Sequence, residues 1–255
     1  MLLAVDAGNS ETTIGLYRKT ELVHHWRLTS AHARTGDELA VLFQTLLATV
    51  TVEAGEVTGF AVSSVVPDLT PAYRDLGTRL FALDALVIDH RTVPFLPIRV
   101  PDPSSVGSDR LVNAVAVSAG YGRPAVVVDL GTATTLDVVG PDGAYLGGVI
   151  APGIVTGALA LFQRGARLPR VEVSRPPHVV GTTTEECMQS GIFFGAVGTV
   201  DTLVRAVLRE QQFPAGTPVV ATGGLAEPIR EASETITAVD ANLTLTGIRL
   251  VWERR

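Results

Sequence analysis

A chain of 255 residues, 46% hydrophobic and 18% charged, can bury a sizeable core and has the composition of a globular protein, which excludes a disordered or low-complexity chain. A net charge of −6 with no basic stripe argues against a general nucleic-acid binder. Cys187 is the single cysteine, so no intrachain disulfide is available and a reducing cytoplasm is the simplest compartment. Asp6 follows only five apolar residues, so no signal peptide is expected, and the longest apolar runs are strand-sized, so no membrane span is expected. His24, His25, His32, His90 and His178 are scattered without metal-ligand spacing, and Lys19 is the single lysine beside nineteen arginines.

In chain order, residues 2–6 and 12–17 are predicted to be strands joined by Ala7-Gly8-Asn9-Ser10, with a third strand over 22–28. Leu39, Leu42, Phe43, Leu46 and Leu47 give helical periodicity over 36–50, with Thr35 or Asp37 as the cap. A buried strand over 59–66 ends in Ser63-Ser64-Val65-Val66-Pro67. A helix is expected over 71–83, a short strand over 86–89 and a Pro- and Ser-rich loop over 94–106. Asp109 then precedes a strongly apolar helix, 111–119. After a turn at 120–124, strands are expected from 125 through 139 and over 145–152, and a helix over 156–163. The stretch 164–181 is irregular. A long helix over 184–208 carries Gly191, Gly195, Ala196 and Gly198, which suggest close packing against another element or a contact between subunits. A strand over 219–222 runs into Gly223-Gly224, and 243–251 suits a last helix or strand.

Two stretches stand out. Residues 125–139 read AVVVDLGTATTLDVV: an apolar strand ends at Asp129, turns through Gly131 and Thr132, and returns as a second apolar run. Residues 2–17, LLAVDAGNSETTIGLY, repeat that order 123 positions earlier (129 − 6). One such hairpin is most simply an ordinary β-turn. Two copies opening two similar halves point instead to phosphate binding, with glycine N–H groups and hydroxyls on phosphate oxygens and each carboxylate available to a cation or a water. No Walker loop and no Gly-x-Gly-x-x-Gly run after a strand is present. Strands and helices alternating in two halves imply an α/β architecture with a cleft between lobes, divided at 1–119 and 120–255.

Gly107-Ser108-Asp109-Arg110 places an acid and a base at a helix start. Asp109 can accept a hydroxyl proton in phosphoryl transfer, and Arg110 can hold an anion. From spacing alone, a helix cap with a solvated Arg110 is the simpler reading. Gly147-Gly148 and Gly223-Gly224 permit close backbone approach, either to a nucleotide or in strand packing.

Taken in order, these segments resemble the type III pantothenate kinases, in the superfamily of acetate and sugar kinases, Hsp70 and actin. Asp6-Ala7-Gly8-Asn9-Ser10 is similar to the family's first phosphate motif, and Ser63 to Pro67 to a recurring segment. Gly107-Ser108-Asp109-Arg110 with Leu111-Val112-Asn113-Ala114 resembles its pantothenate-binding motif. Asp129-Leu130-Gly131-Thr132-Ala133-Thr134-Thr135 with Asp137 resembles its second phosphate motif. Residues 147–153 and Met188-Gln189-Ser190-Gly191 fit as well.

The resemblance implies two similar actin-like (ribonuclease H-like) lobes, each a mixed β-sheet with helices. It implies a cytoplasmic transferase, likened to kinases that phosphorylate the hydroxyl of pantothenate with ATP in the first step of coenzyme A biosynthesis. By motif position, Asp109 would be the catalytic proton acceptor. Gly107, Ser108, Asp109, Arg110 and Thr184 would bind pantothenate. Asp6, Ala7, Gly8, Asn9, Ser10, Glu11, Thr12, Thr13 and Thr132 would bind ATP. Asp129 would hold a monovalent cation (K⁺ or NH₄⁺), and Mg²⁺ would accompany ATP. A homodimer is implied, with no nucleic-acid or membrane partner. Two segments depart from the family pattern: Val100 stands where many members carry tyrosine, and Gly181-Thr182-Thr183-Thr184 stands where many have Gly-Lys-Asn-Thr. The alternatives are a kinase of another small acceptor, or a non-catalytic nucleotide-binding regulator of the same fold.

Overall fold

The computed structural model describes residues 1–165 and 168–255. Positions 166 and 167 of the irregular stretch expected over 164–181 lie outside the described residues. The chain divides into two compact units, Met1–Ala116 with Leu243–Arg255, and Val117–Asn242. The boundary therefore falls inside a helix rather than after residue 119, and the C-terminal residues belong with the first unit rather than the second.

The first unit holds a five-stranded sheet of β1 (Leu2–Ala7), β2 (Glu11–Arg18), β3 (Glu21–Thr29), β4 (Gly59–Ser64) and β5 (Leu86–Val87), in the order β3-β2-β1-β4-β5. β1 pairs antiparallel with β2 and parallel with β4. Side chains alternate across a strand, so Leu3, Val5 and Ala7 enter the core while Asp6 stands on the other face. The core face is covered by helix α1 (Gly36–Thr49), through Leu39, Phe43 and Leu47, and by α2 (Leu69–Leu76), through Tyr73 and Leu76. Thr35 caps α1 in a reciprocal capping box with Glu38. The helix expected over 71–83 starts earlier and changes at Gly77 to a wider π-type turn, Gly77–Phe81, closed by Ala82 at φ 52°. Helix α3 (Ser108–Gly120) follows the Pro-rich loop.

The second unit repeats the plan. β6 (Ala125–Leu130), β7 (Ala133–Val139), β8 (Tyr145–Pro152), β9 (Val219–Thr222) and β10 (Ala238–Val239) form a sheet in the order β8-β7-β6-β9-β10. β6 pairs antiparallel with β7 and parallel with β9, as β1 does with β2 and β4. Val126, Val128 and Leu130 pack with Phe193, Val197, Val200 and Val204 of the long helix α5 (Thr184–Glu210), and Asp129 again stands on the opposite face. Helix α4 (Ile154–Arg164) follows β8, and the short α6 (Ala226–Arg230) follows β9. The last segment is helix α7 (Leu243–Glu253), which packs on β1, β2 and β4. Two mixed sheets of the same topology, each with its helices, are the actin-like architecture expected from the sequence.

Two expectations about α5 change. An added Cβ at Gly191, Gly195 or Gly198 would meet nothing within 4 Å, so these glycines do not serve close packing within the chain. Among the described residues α5 is also the one helix long and apolar enough to cross a membrane by length and composition, although no uninterrupted apolar run announced it. A helix facing a sheet on one side passes the same test, and Met188, Phe193, Val197, Val200 and Val204 form such a buried stripe.

Candidate functional site

The two Asp-x-Gly turns occupy equivalent places. Asp6 is the fifth residue of β1, beside Thr13 of β2 and Ser63 of β4. Asp129 is the fifth residue of β6, beside Thr135 of β7 and Thr222 of β9. Residues in register share a sheet face, so each carboxylate has a hydroxyl side chain on both flanks. Both lie at the carboxyl end of a parallel strand pair, the end at which α/β sheets bind ligands.

The first turn is closed by the Gly8 N–H donating to the Glu11 carbonyl at 2.9 Å. Thr12 is buried, and its hydroxyl lies 2.9 Å from Ser30 Oγ. Thr13 is only partly buried. Glu11 makes a two-point ion pair with Arg27 at 2.6 and 2.8 Å. Ser10 and Glu11 are exposed, as a turn facing a ligand requires.

The expected substrate segment meets this turn within the same unit. Ser108 Oγ lies 3.0 Å from Ser63 Oγ and 3.3 Å from the Ser64 carbonyl. The Val65 N–H donates to the Ala7 carbonyl at 3.1 Å. The end of β4 thus fastens the start of α3 to the end of β1. Ser108 does not cap α3; it is buried and spent on β4. Gly107 supplies the carbonyl that receives the Arg110 and Leu111 N–H groups at 3.1 and 3.3 Å. A Cβ on Gly107 would come within 2.5 Å of Asp109 Oδ1, so glycine is required for the carboxylate to fold back there. Asp109 Oδ1 accepts the Arg110 N–H at 2.8 Å. Burial pushes the Asp109 carboxyl above the usual carboxylate range, against the downward pull of the Arg110 N–H, the Arg110 guanidinium and its own N–H. A carboxylate with a raised pKa is a stronger proton acceptor.

In the second unit the β6–β7 turn is held from two sides. Gly223, at φ 95°, brings its backbone so close to Leu130 that a Cβ would lie 2.7 Å from the Leu130 carbonyl. A Cβ on Gly153 would lie 2.1 Å from the Thr132 carbonyl, which also accepts the Thr156 hydroxyl at 2.7 Å. Thr132 itself is exposed in the turn, whereas Thr134 is buried. Asp137 is fully buried and accepts the Tyr145 hydroxyl at 3.2 Å, a role inside the sheet. Gly147, at φ 112°, belongs to the irregular register between β7 and β8, so strand geometry accounts for it.

Thr184 opens α5 and lines an apolar groove of about 380 Å³ with Leu161, Leu168, Cys187, Met188 and Ile192. The adjoining Thr182-Thr183 departure has a local cause. Thr183 caps the helix in a capping box with Glu186, whose carboxylate also accepts the Thr182 N–H at 2.7 Å and its hydroxyl at 2.8 Å. Ser30, His32 and Asp201 were not among the expected functional residues. Their partners lie across chain reversals, and no local pattern marks them.

Asp129, Thr135 and Thr222 stand side by side on neighbouring strands β6, β7 and β9. Among the described residues no cluster of three or more His, Cys, Asp or Glu side chains could hold a metal ion.

The family model for type III pantothenate kinases matches residues 2–206. The chain is 44% identical to the type III pantothenate kinase of Koribacter versatilis over its whole length, covering 96% of that protein. It is 41% identical to that of Halalkalibacterium halodurans and 44% identical to that of Moorella thermoacetica, covering 99% of each. Among solved structures it resembles the ADPNP-bound activator of 2-hydroxyisocaproyl-CoA dehydratase from Clostridium difficile, with a TM-score of 0.58 at 12% identity over 98% of this chain and 92% of that one. Component A of the Acidaminococcus fermentans (R)-2-hydroxyglutaryl-CoA dehydratase gives a TM-score of 0.54 at 13% identity, over 98% and 89%. The structural likenesses speak for the fold. The full-length identity and the family model establish that this chain belongs to the type III pantothenate kinase family.

Proposed function

We infer that this chain is an ATP-dependent pantothenate kinase, which phosphorylates the hydroxyl of pantothenate to 4'-phosphopantothenate in the first step of coenzyme A biosynthesis. The observation that carries the reading is the fastening of the Asp109 segment to the Asp6 turn through Ser63 and Ser108, inside a chain matched end to end by members of that family.

The chemistry follows from the residues. Asp109 accepts the proton of the pantothenate hydroxyl as its oxygen attacks the γ-phosphorus. The bond from that phosphorus to the bridging oxygen breaks, and ADP leaves with the electron pair. Gly107, Ser108 and Arg110 shape the acceptor side, and the guanidinium of Arg110 suits the pantothenate carboxylate. Thr184 is proposed to contact pantothenate as well. The turn from Asp6 to Thr13 and the hydroxyl of Thr132 take the ATP phosphates. Mg²⁺ would accompany ATP and would supply charge neutralisation. Asp129, flanked by Thr135 and Thr222, is proposed to hold K⁺ or NH₄⁺.

A homodimer is supported by the exposed glycines of α5 and by Leu161 and Val155 of α4, apolar side chains left open within the chain. A cytoplasmic location agrees with bacterial relatives that carry a metabolic kinase's name.

The test is ADP formation with ATP, Mg²⁺, K⁺ and pantothenate. Turnover that requires pantothenate supports the reading. Turnover only with another acceptor makes the chain a kinase of that acceptor, and tight nucleotide binding with no turnover makes it a regulator.

A further inference from the structure

The segment that follows β3 runs back under the β1–β2 turn and takes up three of its carbonyls in succession. Ser30 Oγ donates to the Gly8 carbonyl at 2.6 Å. His32 Nε2 donates to the Asn9 carbonyl at 2.8 Å. The Ser30 N–H donates to the Ser10 carbonyl at 3.0 Å. A trans peptide unit is planar, with its N–H pointing opposite to its carbonyl. Fixing a carbonyl therefore fixes the direction of the next residue's N–H, and these bonds set three consecutive peptide planes of the turn.

Proton accounting extends the arrangement inward. The Ser30 proton is spent on Gly8, so the Thr12 hydroxyl, 2.9 Å away, is the donor to Ser30 Oγ. Thr12 is itself buried, beside the core of its unit. A chain from the buried Thr12 through Ser30 ends on the Gly8 carbonyl, tying the turn to the interior of its unit.

We propose that Ser30 and His32 are positioning residues of the nucleotide site, holding the carbonyls of Gly8, Asn9 and Ser10 so that the turn presents its amides to phosphate. This rests on reading residues 6–13 as the ATP-phosphate turn. Neither side chain needs to touch the nucleotide, and a nest of oriented amides loses affinity for an anion when its peptide planes can rotate.

The experiment uses the full chain with Ser30→Ala, Ser30→Thr, His32→Ala, His32→Gln and Asp6→Asn. Binding of ADP, the KM for each substrate and the Tm are measured for each. Ser30→Ala and His32→Ala are expected to raise the KM for ATP about tenfold each, the equivalent of one lost hydrogen bond, while the KM for pantothenate stays within about twofold. Ser30→Thr and His32→Gln, which keep a donor in place, are expected to recover most of that loss. Unchanged nucleotide affinity in both alanine variants overturns the proposal. So does a rise in both KM values together with a fall in Tm, which marks a structural role only. If Ser30→Ala does not fold, the His32 pair decides alone. Asp6→Asn separates the two layers. If it leaves ADP binding intact, the phosphate-turn reading itself fails. If it weakens ADP binding while the alanine variants do not, only the positioning role fails.

Discussion

Ser63 Oγ and Ser108 Oγ lie 3.0 Å apart in the interior of the first unit, and this contact joins the strand beside Asp6 to the helix that presents Asp109. Removing one partner leaves the other hydroxyl buried with fewer partners, which costs about 1–3 kcal/mol, whereas removing both is milder. Ser108→Ala is therefore expected to lower the urea midpoint, and Ser63→Ala with Ser108→Ala to recover part of it. Turnover should fall about tenfold or more in Ser108→Ala, because Asp109 is the next residue and small displacements of a reacting group are costly. Equal stability in the single and double variants would show that the hydroxyls are not coupled.

Asp109 illustrates a site held against its own stability. Burial raises its carboxyl pKa, so the native chain binds this proton more tightly than the unfolded chain does. Its contribution is fully present below the unfolded carboxylate pKa and is lost as pH rises through the folded value. Asp109→Asn removes that loss. The variant is expected to lose about 10²- to 10⁴-fold in turnover while still binding ATP. Its Tm near neutral pH should equal or exceed the parent's, with the difference closing in acid. Near-normal turnover would reject Asp109 as the proton acceptor.

The cation assignment to Asp129 makes a separate prediction. With Thr135 and Thr222 as its neighbours in register, the proposed site has one carboxylate among neutral hydroxyls, a low charge that suits a monovalent cation. Activity is expected to fall when K⁺ is replaced by Na⁺ at constant ionic strength, and Asp129→Asn should abolish the difference between the two salts. An Asp129→Asn enzyme that still distinguishes K⁺ from Na⁺ would place the cation elsewhere.

Much of this was legible in the sequence for local reasons. Apolar strands broken by Asp-x-Gly announced both hairpins, and Thr35 or Asp37 marked the start of α1, where the structure selects Thr35 and pairs it with Glu38. The matching strand orders bear out the repeat that the two hairpins suggested. What escaped lies in non-local contacts or short elements. Nothing near Leu243 says that α7 returns to β1, at least 236 positions away (243 − 7), nor does Thr244 reveal its hydrogen bond to Asn113 at 2.9 Å. β10 has two residues and α6 five, too few to show a period. Ser30 and His32 reach the first turn only after β3 has reversed the chain. Of the two readings of the α5 glycines, close packing within the chain fails, because sequence marks a glycine's cost but not which side of the helix it faces.

Asp201 shows the same non-local logic in the second unit. It is buried on α5 and accepts Ser233 Oγ at 2.5 Å, Thr235 Oγ1 at 2.7 Å, and the Glu234 and Thr235 N–H groups at 3.0 and 3.2 Å. Burial alone would raise its pKa, but the Ser233 hydroxyl, the Glu234 N–H, Thr235 and Arg205 together hold it below the usual value. Its stabilisation is thus present above the unfolded carboxylate pKa and is lost as pH falls through the folded one. Asp201→Asn, which turns an amide NH₂ toward these donors, is expected to cost about 2–4 kcal/mol near neutral pH. Thermal melts should show the gap between variant and parent closing in acid. A gap that persists unchanged below the carboxylate range would mean packing, rather than charge, does the holding.

Gly195 decides what the open side of α5 is for. It is exposed, and a Cβ there would meet nothing within 4 Å. On a solvated helix face, Gly195→Ala would stabilise the chain by about 0.5–1 kcal/mol, since glycine is the costlier residue in a helix. On a face shared by two copies, the missing side chain is what lets the helices approach, and a larger one separates them. The proposed homodimer therefore predicts that Gly195→Leu shifts the mass measured by light scattering from two chains toward one. The far-UV spectrum should stay unchanged, and Gly195→Ala should weaken the dimer rather than simply raise the Tm. A parent chain that is already monomeric, or a Gly195→Leu variant that keeps the dimer mass, would remove this face from the interface and leave the glycines of α5 without a role in assembly.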